Sequence, residues 1–388
     1  MELTDLEKIR FEKAQQMRAD GVEPYPTRTE VNSTAAEAIR RFEAAEAAGS
    51  QETLSAVLGG RLRAVRLMGK LAFAHIEDGS GRIQLFFRVN ELGEPELQRF
   101  KDQFDIGDYI QAGGELIRTR TGEISLLVRE FKMLAKAITP LPAAKDEVVD
   151  GQVVRHATLA DPETRYRQRY ADLAVNPEVR DVFRARARVI QAVRRFLDER
   201  GFVEVETPIL QPIYGGAAAR PFTTFHNQLE QELFLRISFE LYLKRLIGGG
   251  YERVYEIGRD FRNEGISFKH NPEFTMLEFY EAYADYNDIM RRTEEMVAAV
   301  SRDVCGGLTI TYDGQAIDLT PPWRRMTMRE AILQATGIHE AVTASNLLDV
   351  HAGAWNADRR CRKSHSGLLW LFVIDLAAAE VVAARLHQ

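Results

Sequence analysis

Arg253–Tyr286 reads RVYEIGRDFRNEGISFKHNPEFTMLEFYEAYADY, and this stretch decides the fold. Its two ends alternate apolar and polar residues, the pattern of strands. Inside them sit Arg259, Arg262, Glu264, His270, Asn271, Glu273 and Glu278, charged or polar residues placed among apolar ones. Burying a charge is costly unless the charge is paired or meets a ligand. The strand pair is therefore read as a site. From pattern alone the other reading stays open, an exposed antiparallel hairpin with one charged face.

Working outward, ELFLRIS and FVEVETP add strand-like segments upstream, and a helix is predicted from about Pro177 to Arg200. Val182, Val189, Val193 and Phe196 form its apolar stripe, Arg184, Arg188 and Arg195 lie elsewhere, and Gly201 stops it. Strands joined by hairpin loops with helices between them indicate an antiparallel sheet in an α+β domain. No glycine-rich loop of the Walker or dinucleotide type occurs, so a bound nucleotide would need another holder.

Further upstream, from Leu62, VRLMGKLAFAHIE, a turn at Asp78-Gly79-Ser80-Gly81 and RIQLFFRV form one hairpin. GELIRT and EISLLVREFKML, joined by Arg120-Thr121-Gly122, form another. Short strands with a helix-like stretch near Glu94–Phe104 predict a small β-barrel of the OB type, closed by the linker Ile138-Thr139-Pro140-Leu141-Pro142. Ahead of it, Ala36, Ile39, Ala44 and Ala47 recur at helical intervals, which fits either packed helices or a solvated extension. The predicted organisation is a helical extension over 1–57, the barrel over 58–147, an α+β domain over 148–348 and a compositionally distinct tail over 349–388.

The chain has 388 residues, 45% hydrophobic and 28% charged, enough for two or three domains. Its opening, MELTDLEKIR, is charged and helix-prone rather than signal-like, and the longest apolar run, near Leu368–Val382, is interrupted by Asp375 and Glu380. A cytoplasmic location without membrane contact is expected. Cys305 and Cys361 make no disulfide framework, and neither has a His or Cys at metal-ligand spacing. A net charge of -6 argues against nucleic-acid binding over the whole surface but leaves room for a local basic patch.

FRNEGISFKHNPEFTMLEFY resembles motif 2 of the class II aminoacyl-tRNA synthetases in its lysine form, and GFVEVETPILQPIYGGAAARPF, with Pro208, resembles motif 1 and the loop after it. The resemblance implies an N-terminal OB-fold barrel followed by a class II catalytic domain. It implies a lysine–tRNA ligase of subclass IIb that uses ATP and Mg2+, acts on lysine and tRNA(Lys), and forms a homodimer through motif 1. It implies Arg262 and Glu264 as catalytic residues, with Arg262 on the α-phosphate. Glu264, His270 and Asn271 would hold the nucleotide, with Phe274 against the adenine. For lysine it implies Gly216, Glu240, Glu278 and Tyr280; Glu240 stands where relatives specific for aspartate or asparagine carry glutamine. For the anticodon it implies Arg66, Phe73, Gln84 and Glu123. Phe73 lies in an alternating strand, so a core position fits it as well.

The resemblance runs from Met1 to about Gly337. DVHAGAWNADRRCRKSHSGLLWLFVIDLAAAEVVAARLHQ (349–388) matches neither the expected acidic metal ligands nor motif 3, the glycine-rich segment with a second ATP-gripping arginine. It reads as a frame-shifted or divergent segment, with a helix possible over Leu368–Leu386. Impaired activity is therefore expected of these residues alone. The rival reading is a non-catalytic tRNA-binding or regulatory paralogue that keeps the barrel.

Overall fold

The computed structural model describes residues 3–142, 145–149, 152–156, 159–267, 270–327, 330, 331 and 334. The tail 349–388 and its candidate helix lie outside the described residues. The chain divides into two compact units, Met1–Val175 and a second beginning at Asn176.

The first unit opens with α1 (Asp5–Ala19), whose N-terminus is closed by a Thr4/Glu7 capping box, and α2 (Ala35–Ala47), capped by Thr34. The barrel strands are β1 (Ser55–Met68), β2 (Leu71–Glu77) and β3 (Arg82–Arg88). A helical turn α3 (Val89–Leu92) and α4 (Glu94–Gln103) precede β4 (Tyr109–Arg118) and β5 (Ile124–Ala135). They close in the order β1-β2-β3-β5-β4, antiparallel except for β3 against β5. Strict alternation drives closure: Ala72, Ala74 and Ile76 of β2 point inward with Ile83, Leu85 and Phe87 of β3, while Leu71, Phe73 and His75 stay half-buried on the outer face. At the β4 irregularity a Cβ on Gly114 would stand 2.0 Å from the Leu127 carbonyl oxygen, so only glycine fits that crossing. Met17, Ala35 and Ala38 belong to the barrel's core, so the N-terminal helices are packed on it rather than solvated. Below the barrel, the fully buried Lys136 ammonium is held by Asp105 at 2.5 Å, Asp108 at 2.8 Å and the Gln103 carbonyl at 2.7 Å. A hairpin of β6 (Lys145–Val149) and β7 (Gln152–His156) and the short helices α5 (Pro162–Arg167) and α6 (Arg169–Val175) complete this unit.

The second unit begins with α7 (Pro177–Asp198), which Gly201 ends at φ +76°. β8 (Val203–Glu204), β9 (Leu210–Gln211), β10 (Thr223–His226), β11 (Gln231–Leu235), α8 (Glu240–Gly248), β12 (Arg253–Phe261), β13 (Glu273–Glu281), α9 (Tyr286–Cys305), β14 (Thr309–Tyr312) and β15 (Gln315–Asp318) follow. The quoted stretch forms the antiparallel β12–β13 hairpin in continuous register from Arg253↔Glu281 to Phe261↔Glu273. β8 joins the other edge of β12 in parallel, and β10-β11-β9 form a separate antiparallel sheet. One face of the hairpin is core: Tyr255 and Leu277 pack with Phe202, with Val193, Phe196 and Leu197 of α7 and with Met296 of α9. Because side chains alternate, the other face is left for α8 and for chemistry.

Candidate active site and nucleic-acid surface

That second face carries Val254, Glu256, Gly258, Asp260 and then Arg262 from one strand, and Phe274, Met276, Glu278 and Tyr280 from the other. Phe239 and Leu243 cover its Val254 end. At the opposite end the Arg262 guanidinium lies over the Phe274 ring, 5.1 Å from its centroid. The two residues expected to meet phosphate and adenine are thus neighbours. The loop between the strands is tied by its backbone, Arg262 N–H donating to Pro272 O at 2.8 Å and Ser267 N–H to His270 O at 3.0 Å. His270 Nδ1 lies 2.8 Å from Ser267 Oγ, Asn271 donates to Glu273 O at 2.8 Å, and Glu264 is exposed.

Along the same face, Ser238 Oγ donates to Glu278 Oε1 at 2.6 Å, and the Phe239 N–H to the same oxygen at 3.2 Å. Tyr280 O–H donates to Glu278 Oε2 at 3.1 Å. Burial, then the charges of Glu278 and Glu240, push the Tyr280 phenol far up, so it stays protonated and remains a donor. Glu240 opens α8, its N–H donating to Ser238 Oγ at 3.1 Å and its carboxylate accepting from Lys244 Nζ at 2.5 Å. Gly216, at φ +91°, closes against them: a Cβ there would meet Ser238 Oγ at 2.7 Å and Glu240 Cβ at 2.8 Å. Gly216, Glu240, Glu278 and Tyr280, far apart in sequence, therefore converge around Ser238.

Between these two ends runs a floor that pattern reading missed. Arg236, 2% exposed, donates to Glu256 Oε1 at 2.6 Å, to Arg259 O at 2.9 Å and to Thr207 O at 3.0 Å, and its guanidinium stacks 4.1 Å from Phe239. Gly258 leaves it room, since a Cβ there would stand 2.6 Å from Arg236 Nη2. Thr207 O–H donates to Glu256 Oε2 at 2.6 Å. Asp260 is fully buried, with Arg236 Nε 3.3 Å from Oδ1, yet neither of its oxygens accepts a hydrogen bond. The one signal available in sequence was an arginine inside the apolar run ELFLRIS.

Burial pushes the Asp260 carboxyl up to about 7, opposed by Arg236 and Arg262 and reinforced by Glu278 and Glu256. With the folded value above the unfolded one, the native state holds a proton that the unfolded chain has released. Stability is then greatest below about pH 4 as far as this group goes, and is lost as pH rises from there through about pH 7. Asp260→Asn should flatten that loss and raise stability at pH 8 by on the order of 1–2 kcal/mol, since Arg236 keeps Glu256. Urea midpoints across this pH range check it, and an unchanged pH slope would refute it.

On the barrel, three of the expected anticodon residues lie on neighbouring strands, Arg66 on β1, Phe73 on β2 and Gln84 on β3, and Glu123 lies just ahead of β5. Arg66 is exposed and pairs with Phe73, which pairs with Phe86; the two rings stack at 4.6 Å and 1°. Phe73 is thus on the outer face, not in the core. Gln84 donates to Glu123 Oε2 at 2.7 Å.

Among the described residues no group of three His, Cys, Asp or Glu could hold a metal ion. Among them, too, no helix is long and apolar enough to cross a membrane.

Residues 161–378 match the family of tRNA synthetases class II (D, K and N), and residues 56–134 match an OB-fold nucleic acid binding domain. A lysine–tRNA ligase of Roseiflexus castenholzii is 52% identical over 87% of this chain and 66% of its own length. One of Chloroflexus aurantiacus is 50% identical over 100% of this chain and 75% of its own. The chain thus spans about two thirds to three quarters of the length of these relatives. The family match continues past Gly337, so the likeness reaches into the stretch that composition set apart. With both modules matched and the motif 2 hairpin built as described, the chain belongs to the class II tRNA synthetases (D, K and N) and carries an OB-fold nucleic acid binding domain.

Proposed function

We propose that this chain carries the ATP- and lysine-binding face and the anticodon-binding barrel of a lysine–tRNA ligase, an enzyme that activates lysine with ATP and transfers it to tRNA(Lys). The observation that carries the reading is the convergence of Glu240, Glu278 and Tyr280 around Ser238, on the same strand face as Arg262 and Phe274. Carboxylates in a half-buried pocket favour an amino acid with a cationic side chain over aspartate or asparagine by charge alone. Gly216 lets the substrate backbone approach the pocket wall. Phe274 offers a ring for the adenine, with Glu264, His270 and Asn271 beside it on the loop. Arg262 would stabilise the negative charge that builds on the α-phosphate oxygens as the lysine carboxylate attacks phosphorus and pyrophosphate leaves. Mg2+ is implied by the family chemistry, and the steps assigned here run through the chain's own side chains.

The barrel would hold the anticodon, with bases stacked near Phe73 and read at their edges by Arg66, Gln84 and Glu123. Val203, Ile209 and Leu210 are exposed around Pro208, which supports a homodimer through motif 1. A cytoplasmic location follows from this function.

Calorimetric titration tests the amino-acid half. Lysine should bind, aspartate should not, and Glu278→Gln should weaken lysine by about ten-fold or more. Equal binding of lysine and aspartate would refute the assignment.

A further inference from the structure

Beside the stacked Phe73 and Phe86 lies a second row of cross-strand neighbours, His75 of β2, Gln84 of β3 and Ser125 of β5. Successive same-face residues of a strand stand about 7 Å apart, within the span of one nucleobase. A base stacked at Phe73 would therefore present its edge to this polar row. The carboxylate of Glu123, 44% exposed just ahead of β5, lies over it. His75 Nε2 lies 2.8 Å from Glu123 Oε1, and Gln84 Nε2 lies 2.7 Å from Oε2, so each oxygen has its own nitrogen partner. Gln84 is fixed in turn, because the fully buried Ser125 hydroxyl donates to its carbonyl at 2.9 Å.

We propose that His75 is a positioning residue for anticodon selection: with Gln84 it clamps the Glu123 carboxylate in the orientation that accepts a ring N–H from an unpaired base. This rests on the barrel being the anticodon-binding domain. A carboxylate only accepts, so His75 must carry its proton on Nε2 to make the contact. Two donors occupy part of the capacity of Glu123 and leave acceptor sites directed at the ligand. Uracil meets such an acceptor with its N3–H. Cytosine presents a bare ring nitrogen at the same place, and two acceptors facing each other repel. Without His75, one carboxylate oxygen loses its anchor and Glu123 can turn away. Selection should then fall while stacking on Phe73 persists.

The test uses the whole chain and fluorescent anticodon stem-loops, one all-uridine and three with a single uridine replaced by cytidine. The unaltered protein should discriminate against cytidine at one position at least. His75→Ala should lower that discrimination about three- to ten-fold and leave affinity for the cytidine loop nearly unchanged. His75→Gln, which keeps an N–H donor, should restore most of it. Phe73→Ala, by contrast, should weaken all four loops alike. Discrimination unaltered in His75→Ala, or equal weakening of every loop, would overturn the role of His75 while leaving the anticodon reading intact. If the unaltered chain does not distinguish the loops at all, the anticodon reading fails, and the role of His75 with it.

Discussion

Replacing Arg262 by alanine should lower lysine-dependent pyrophosphate exchange by two or more powers of ten, in a form of the enzyme extended to the full length of its relatives. The expectation follows from where the chain places this cation. Arg262 directly follows β12, its backbone N–H is fixed on Pro272 O at 2.8 Å, and its guanidinium rests on Phe274. A donor held in advance where charge develops contributes about 3 kcal/mol to the transition state, because little reorganisation remains at the moment of reaction. Its Nε is buried without a hydrogen-bond partner, so the side chain has an unmet polar group where a ligand would lie. The loss should fall mainly on the rate and less on lysine affinity, since Glu278 and Tyr280 lie at the other end of the face. Exchange within a few-fold of the unaltered enzyme would remove the assignment of this hairpin to phosphate.

A polypeptide of these 388 residues alone should exchange at near background. The resemblance calls for acidic metal ligands in a further stretch of the core and for a second arginine in a glycine-rich motif 3, and 349–388 reads as neither. Each lost charge contact costs about a hundred-fold in rate, and contacts that act on one transition state fail together. Stem-loop binding should survive, because the barrel's core is filled by residues between Met17 and Met133. Exchange is measured beside an intact lysyl-tRNA synthetase. Robust lysine-dependent exchange by the 388-residue chain would show that residues after Gly337 supply the missing contacts.

The hairpin was legible in sequence because alternation and embedded charge coincide over one long stretch. Its face assignments then follow from the two-residue period alone. The barrel was legible for the same reason, but which face of β2 turns inward was not, and the structure puts Ala72, Ala74 and Ile76 inside and Phe73 outside. Two things were not legible. The helix α2 buries Ala35 and Ala38, whose small side chains do not show from sequence which neighbour they meet, so their packing on the barrel could not be told from solvation. The floor under the site depends on contacts across the fold: Arg236 reads as one charge in a strand until Glu256, Asp260 and Thr207 gather round it. A parallel partner of two residues, β8 on β12, is likewise too short to leave a pattern. The need for glycine at position 216 likewise lies in contacts across the fold, since a Cβ there would collide with Ser238 and Glu240.

The most direct measurement is the amino-acid dependence of pyrophosphate exchange by the full-length form, run with ATP and each of lysine, aspartate and asparagine in turn. Lysine alone should drive exchange if the proposed amino-acid pocket is right, because it would set the carboxylate of Glu278 and the Lys244-paired carboxylate of Glu240 against the substrate. Exchange driven by aspartate or asparagine, or by none of the three, would contradict the account.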